Sequence, residues 1–318
     1  VSAFNYAAAV GLSVAKRASA PRPKVFCAAI VLLPCAMLLL AVPIARSDWY
    51  IARTRDPYFT NMGYGLTLDH ANCDVVIYGD SSALTGVDPQ VIHDRTGLTA
   101  CNISEYEGVF RTDRLMVPDE YFRRNRPPRF LVFAFCPWNL APYDDWAKST
   151  TYEAILLRLR FLPNLETGIE MAEHPSQTFD FLTRTFRMSV AARPHNDITP
   201  EMLRYRQDHH GFMPMTGEQL ADCSTYPDRI HGPDPNWIDG MRRRYAEKGT
   251  HVIVDVTPVP ACAEAFGYYA ERLRGRTDNN LEQWPLSLFN GTAHLVRTGS
   301  RTFSERVARQ IRVDSEVN

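Results

Sequence analysis

A serine hydroxyl is a poor nucleophile until a neighbouring base takes its proton, and its attack on an ester carbonyl succeeds only where hydrogen-bond donors receive the oxyanion. That chemistry needs a serine on a tight turn, a histidine within reach and amide donors around both. Gly79-Asp80-Ser81-Ser82 supplies the serine, at the end of the run CDVVIYGD (73–80). Gly108 stands in NISEYEG, Asn139 in CPWNL and His294 in NGTAHL. Any one of these fits a plain polar turn. The four in this order, each after an expected strand or before the last helix, mark a candidate site at one edge of a sheet.

Other clusters carry less. His209 and His210 are adjacent, neighbouring side chains rarely chelate together, and no C-x-x-C spacing accompanies them. No metal is expected, and nothing calls for a cofactor. Arg242-Arg243-Arg244 reads as the solvated face of a helix, with contact to lipid headgroups as the alternative. Asn102-Ile103-Ser104 and Asn290-Gly291-Thr292 match the glycosylation pattern, although both sit inside the candidate-site regions.

The elements that must hold these residues read as strands alternating with helices. The β-branched run at 73–80 is a buried strand of the parallel-sheet kind. Asp88 and Pro89 open a short helix as cap and first residue, and Gly97 closes it. LTACNIS (98–104) is a second strand, and a helical stretch around Thr112 to Arg124 leads past Pro127 and Pro128 into a third, RFLVFAFC (129–136). Asp234 and Pro235 start a helix that Gly249 ends, and THVIVDVTP (250–258) is the fourth strand. SLF (287–289) is a candidate fifth; SRTFSERVARQI (300–311) is a closing helix with Phe303, Val307 and Ile311 on one face. The alternation predicts an α/β fold with a doubly wound, mostly parallel sheet, whose ligands bind outside the carboxyl ends of the strands. The stretch at about 141–233 breaks the rhythm. It reads as an insertion placed to cover the site or to receive a partner.

At 318 residues, 45% hydrophobic and 22% charged, the chain is neither disordered nor low in complexity. Its net charge of -1 divides into +4 over residues 1–24, from Lys16, Arg17, Arg22 and Lys24, and -5 over the remainder. A mildly acidic body argues against a nucleic-acid partner. Between Lys24 and Arg46 lie 21 residues without a charge, VFCAAIVLLPCAMLLLAVPIA. A helix of that length spans about 30 Å, the thickness of a bilayer core. The expected organisation is a cytoplasmic stub at 1–24, a transmembrane anchor at 25–45, a linker at 46–70 and a catalytic-looking domain at 71–318, the basic end setting the topology. A cleaved signal peptide is the competing reading of the same run. Outside it, five cysteines allow up to two disulfides; Cys73 with Cys101 and Cys223 with Cys262 is one arrangement.

Ser81, Gly108, Asn139 and His294 resemble, in order and placement, the four motif blocks of the SGNH (GDSL-type) hydrolase superfamily, over roughly residues 71 to 315. The resemblance implies a flavodoxin-like sheet, Ser81 as nucleophile, His294 as base, and an oxyanion hole of the Ser81 and Gly108 backbone amides with the Asn139 side chain. The family usually has Asp three residues before the histidine, where this chain has Gly291. Asn290, Asp80, Asp255, Asp278 or a backbone carbonyl is left to orient or support the imidazole, unless Ser81 and His294 act as a dyad or the domain mainly binds. An anchor joined to such a domain is similar to the membrane-bound members of exopolysaccharide O-acetylation systems, of the alginate and cellulose acetylation type. That likeness implies single-pass residence in a bacterial inner membrane with the domain in the periplasm, and acetyl transfer through an acyl-serine to an exported or cell-surface polysaccharide. Its implied partners are the polysaccharide or oligosaccharide acceptor and a membrane-bound O-acyltransferase or polysaccharide synthase. A polysaccharide acyl esterase, and a catalytically weak interaction subunit of such a complex, are the alternatives.

Overall fold

The computed structural model describes residues 23–51, 63–105, 115–141, 151–191, 207–215, 219–223, 232–290 and 294–317. The chain divides into two compact units, Val1–Leu40 and Ala41–Asn318. The first contributes most of helix α1 (Pro23–Arg46), 24 residues that enclose the uncharged run. Leu32, Leu33, Leu39 and Leu40 stand exposed along it. Much of the run lies, as side chains, outside the described residues. Among the described residues, no helix is long and apolar enough to cross a membrane.

The second unit is built on four parallel strands, β1 (Val75–Gly79), β2 (Ala100–Asn102), β3 (Phe130–Phe135) and β4 (His251–Val256), in the order β2-β1-β3-β4. Val76 pairs with Cys101 and with Leu131, and Leu131 with Val252, so the register is continuous across the sheet. Leaving single turns aside, the helices among the described residues of this unit are α2 (Ser81–Gly86), α3 (Pro89–Thr96), α4 (Met116–Arg124), α5 (Thr151–Phe161), α6 (Leu165–Glu173), α7 (Pro175–Ala191), α8 (Pro235–Ala246), α9 (Phe266–Leu273) and α10 (Arg297–Val317).

Side chains alternate across the sheet with a period of two. Val75, Ile77, Val132, Ala134 and Ile253 bury one face in a cluster with Ala83 of α2, Ile92 of α3, and Phe303, Val307 and Ile311 of α10. On the other face Tyr78, Phe133 and Phe135 meet edge-on or stacked, and Phe133 and Phe135 reach Tyr245 and Trp237 of α8. Helices on both faces explain why β1 and β3 are buried at every residue and read as unbroken apolar runs. The result is an α/β fold with a parallel central sheet, compatible with the flavodoxin-like class.

Local signals behave as their chemistry demands. Asp88 caps α3 through the Gln90 amide, Pro89 takes the first helical position, and Gly97 ends the helix in the left-handed conformation. Asp234 caps α8 in the same way. The expected fifth strand is absent: Leu286–Leu288 is a 3-10 turn closed by the Leu288 amide on the Pro285 carbonyl, and Phe289 only bridges Leu295. The extra pairing is instead a two-stranded parallel ribbon, β5 (Val259–Pro260) with β6 (Gln283–Trp284). Within the insertion, α5, α6 and α7 form a helical cluster, and Cys73–Cys101 and Cys223–Cys262 are disulfide-bonded, leaving Cys136 reduced and buried.

At Gly79 the neighbouring strand leaves no room for a side chain. A Cβ there would lie 1.7 Å from the Ala134 carbonyl oxygen. Gly79→Ala must therefore separate the two central strands, and a destabilisation of about 3 kcal/mol is expected from such overpacking. Chemical denaturation of the variant measures it; an unchanged midpoint would contradict this account of the strand contact.

Candidate active site

Asp80 leaves β1 with extended backbone and becomes the N-cap of α2, which places Ser81 on the first helical residue at the carboxyl edge of the sheet. Both Asp80 oxygens are engaged. Oδ1 accepts from the Ser82 amide at 2.9 Å and the Ser82 hydroxyl at 2.5 Å; Oδ2 accepts from the Cys136 amide at 2.9 Å and the Asn139 side-chain amide at 2.6 Å. One buried carboxylate thus joins the ends of β1 and β3, the start of α2 and the Asn139 side chain.

His294 arrives from the other end of the sequence. The Asn290 amide donates to the His294 carbonyl at 2.9 Å, Phe289 and Leu295 bridge across the same loop, and both of these side chains are buried in the core. The loop is closed at its neck by backbone bonds and anchored by two apolar side chains. It brings the His294 Nε2 to 2.9 Å from the Ser81 Oγ, across 213 residues of sequence.

Surrounding protein disfavours the imidazolium and lowers the His294 pKa to about 4, with the Asp80 charge acting in the opposite sense. At neutral pH the ring is therefore uncharged. With the Ser81 hydroxyl donating to Nε2, the ring proton resides on Nδ1, the tautomer a general base requires.

Two donors of the candidate site have a hydrogen bond to spare among the described residues. The Ser81 N–H, at the start of α2, makes no hydrogen bond with the described residues. Asn139 follows β3 in the 3-10 turn Pro137–Asn139. Because a carboxylate only accepts, Asp80 fixes the amide with its NH2 toward Oδ2; one N–H is spent there and the second is left over. Asn139 Oδ1 is buried without a partner, the kind of unsatisfied polar atom that functional sites retain.

The structure thus brings together Ser81, His294, Asp80 and Asn139, while Gly108 and Gly291 lie outside the described residues. Asn290 contributes its backbone to the loop. Asp255 does not serve His294. It is fully buried in β4 against Arg306 of α10 at 2.8 Å, with the Asn279 amide at 3.0 Å and the Val256 N–H at 2.7 Å, because a carboxylate inside the sheet must be neutralised where it lies. Asp278 likewise accepts from Arg242 and the Val254 N–H. Asn102, matched above to a glycosylation pattern, is buried and uses its side chain to bind the Ala83 and Val87 carbonyls and the Ser104 amide. Among the described residues, no group of three or more His, Cys, Asp or Glu side chains is placed to hold a metal ion.

Asp80 itself was visible in sequence only as a neighbour of the serine. Its hub role depends on Cys136 and Asn139, more than fifty residues away, and no local pattern announces that. Asp80→Asn would turn an NH2 group toward donors that now meet a carboxylate. The expected outcome is a loss of about a hundredfold or more in the rate of Ser81 acylation by an activated ester, comparable to removing an oxyanion-hole donor, with a further fall in the His294 pKa as the neighbouring charge is removed. Ester kinetics together with an NMR titration of the imidazole tests both parts, and unchanged kinetics would remove Asp80 from the site.

The depressed histidine has a signed consequence for pH. The folded ring binds its proton near 4 and the unfolded ring near 6.5, so between these values the unfolded state holds more protons. The stability due to neutral His294 is complete above about 6.5 and is lost as the pH falls toward 4. The acylation rate should keep its plateau below pH 6 and fall only as the pH approaches about 4. A half-point near 6.5 in the Ser81 acylation profile would refute this.

No protein-family model, curated protein or solved structure matches this chain closely enough to show kinship.

Proposed function

We propose that this chain is a membrane-anchored serine acyltransferase of SGNH type, moving an acetyl group onto a cell-surface or exported polysaccharide outside the cytoplasm. The observation that carries the proposal is the 2.9 Å contact between Ser81 Oγ and a neutral His294 Nε2. Two disulfides fit an oxidising compartment. The uncharged run at 25–45, helical and bearing exposed leucines, fits a single-pass anchor.

The reaction balances on these groups alone. Ser81 Oγ attacks the donor's carbonyl carbon as its proton passes to His294 Nε2. The oxyanion rests on the Ser81 N–H and the free Asn139 N–H. The donor's C–O bond breaks, the leaving oxygen takes the proton from Nε2, and acetyl-Ser81 remains. A sugar hydroxyl then gives its proton to Nε2 and attacks the acetyl-serine, and Ser81 leaves with the proton returned. Water in place of the sugar turns the second half into hydrolysis.

Incubation with an activated acetyl ester, followed by intact-mass measurement, should show one acetyl adduct that is absent in Ser81→Ala and slow to form in His294→Ala. Release faster with oligosaccharide than with water identifies transfer. Release by water alone identifies an esterase. A folded wild-type chain that forms no adduct overturns serine chemistry here and leaves a binding subunit.

A further inference from the structure

Large apolar side chains rarely stay in water in a contiguous group unless something covers them. Of the ten that stand exposed among the described residues, Leu32, Leu33, Leu39 and Leu40 are on α1 and Trp49 follows it; Leu165, Ile169, Phe179 and Val190 are on α6 and α7; Val313 is the tenth. Among the described residues, large exposed apolar side chains other than Val313 are thus confined to the anchor region and to two helices of the insertion.

The pattern on those two helices is regular. On α6, Leu165 and Ile169 are four residues apart and share a side, while Thr167 and Met171 on the opposite side are buried. On α7, Phe179 and Val190 are eleven residues apart, close to three full turns, so they share a side; Phe181 and Thr185 are buried on the other. Each helix therefore has a packed inner face and exposed apolar side chains on its outer side.

The insertion is also tied to the point where the uncharged run ends. Arg160 of α5 donates to the Ala45 carbonyl at 3.3 Å and the Arg46 carbonyl at 2.9 Å, the last orphan carbonyls of α1. Tyr50 gives its hydroxyl to the Met188 sulfur of α7 at 3.9 Å. Leu165 follows Arg160 by five residues and Val190 follows Met188 by two. If the run at 25–45 crosses a bilayer, the bilayer surface lies within a turn or so of Arg46, and α6 and α7 have their ends beside it.

We propose that α6 and α7 lie on the outer surface of the lipid bilayer, their exposed stripes of Leu165, Ile169, Phe179 and Val190 set among the acyl chains next to the anchor, with Trp49 at the headgroup level. This rests on the membrane-anchor part of the function proposed above. Helices that lie in the interface in this way bury one apolar stripe and keep polar groups outward, and a tryptophan just beyond an apolar span is a familiar interfacial residue. The consequence for function is a fixed stance: the insertion holds the catalytic unit to the membrane at a second place, so the unit does not swing freely on its linker.

The full-length protein in vesicles of phosphatidylethanolamine and phosphatidylglycerol, containing a diazirine-tailed phosphatidylcholine, tests this by photolysis and peptide mapping. The expected result is carbene adducts on α1 and on the peptides carrying Leu165–Ile169 and Phe179–Val190, with the latter lost in Leu165→Glu/Phe179→Glu while α1 labelling and Ser81 acetylation persist. Adducts on α1 alone overturn the inference and leave the anchor in place. Adducts on neither sink the anchor reading and this inference with it, while acetylation of Ser81 still reports the catalytic proposal separately. Cross-linking of those peptides to a protein in native membranes, with none to lipid in vesicles, also overturns it and makes the stripe a protein interface.

Discussion

A carboxylate that leaves water must have its lone pairs met, and Asp80 has four donors on it and no lysine or arginine among the described residues. The donors belong to Ser82, Cys136 and Asn139, so satisfying this one group fixes the start of α2 against the end of β3. Ser81 inherits its position from that arrangement. So does the Asn139 amide, whose direction is dictated by the fact that the group facing it can only accept. Among the described residues, the imidazolium of His294 is a cation that can form beside Asp80, whose charge favours it against burial. Part of what an orienting acid does electrostatically is thereby supplied from the serine's side of the site.

The histidine's side is held by packing. His294 stands three residues ahead of α10, and α10 drives Phe303, Val307 and Ile311 into the cluster that covers one face of the sheet. The same helix carries Arg306, whose guanidinium neutralises Asp255 inside β4 and also meets the Val256 carbonyl. A buried pair of this sort contributes little net stability, but losing one partner leaves a bare charge in the sheet. It therefore acts as a register pin. The helix cannot slide along the sheet without exposing Asp255, and so the loop before it cannot carry His294 away from Ser81.

Much of this was legible in the residues. Asp88, Pro89 and Gly97 state a complete helix, and the apolar runs around Val75, Phe130 and Val252 state buried parallel strands, because capping and burial are local or periodic demands. SLF at 287–289 reads as a strand by composition, yet Pro285 starts a turn there and, among the described residues, the segment joins no strand of the four-stranded sheet. LTACNIS is a strand only over Ala100–Asn102; beyond it the Ile103 and Glu105 amides still donate to the Ile77 and Gly79 carbonyls, while Asn102 turns its side chain to the Ala83 and Val87 carbonyls. Asp255 could be shortlisted from sequence as a carboxylate of unknown partner; the choice of Arg306 over His294 is a matter of sheet register and helix phase, which no spacing along the chain encodes.

The insertion returns to the site after its helices. The His210 carbonyl accepts from the Asn102 amide at 2.8 Å, and the Met213 amide donates to the Leu84 carbonyl at 3.1 Å, so residues around 210–213 lie along the end of β2 and against α2 itself. Gly211 makes the approach feasible: its φ is +94°, and a Cβ there would stand 1.9 Å from the Asn102 carbonyl oxygen. The segment that follows the helical cluster is therefore bonded to the short helix whose first residue is the nucleophile. Contacts made by the insertion and the conformation of α2 are linked through backbone hydrogen bonds, which tolerate little displacement before they break. An insertion in this position does more than shelter a site already complete without it. Through Met213 it is bonded to the helix that begins with Ser81, and through His210 to the end of β2.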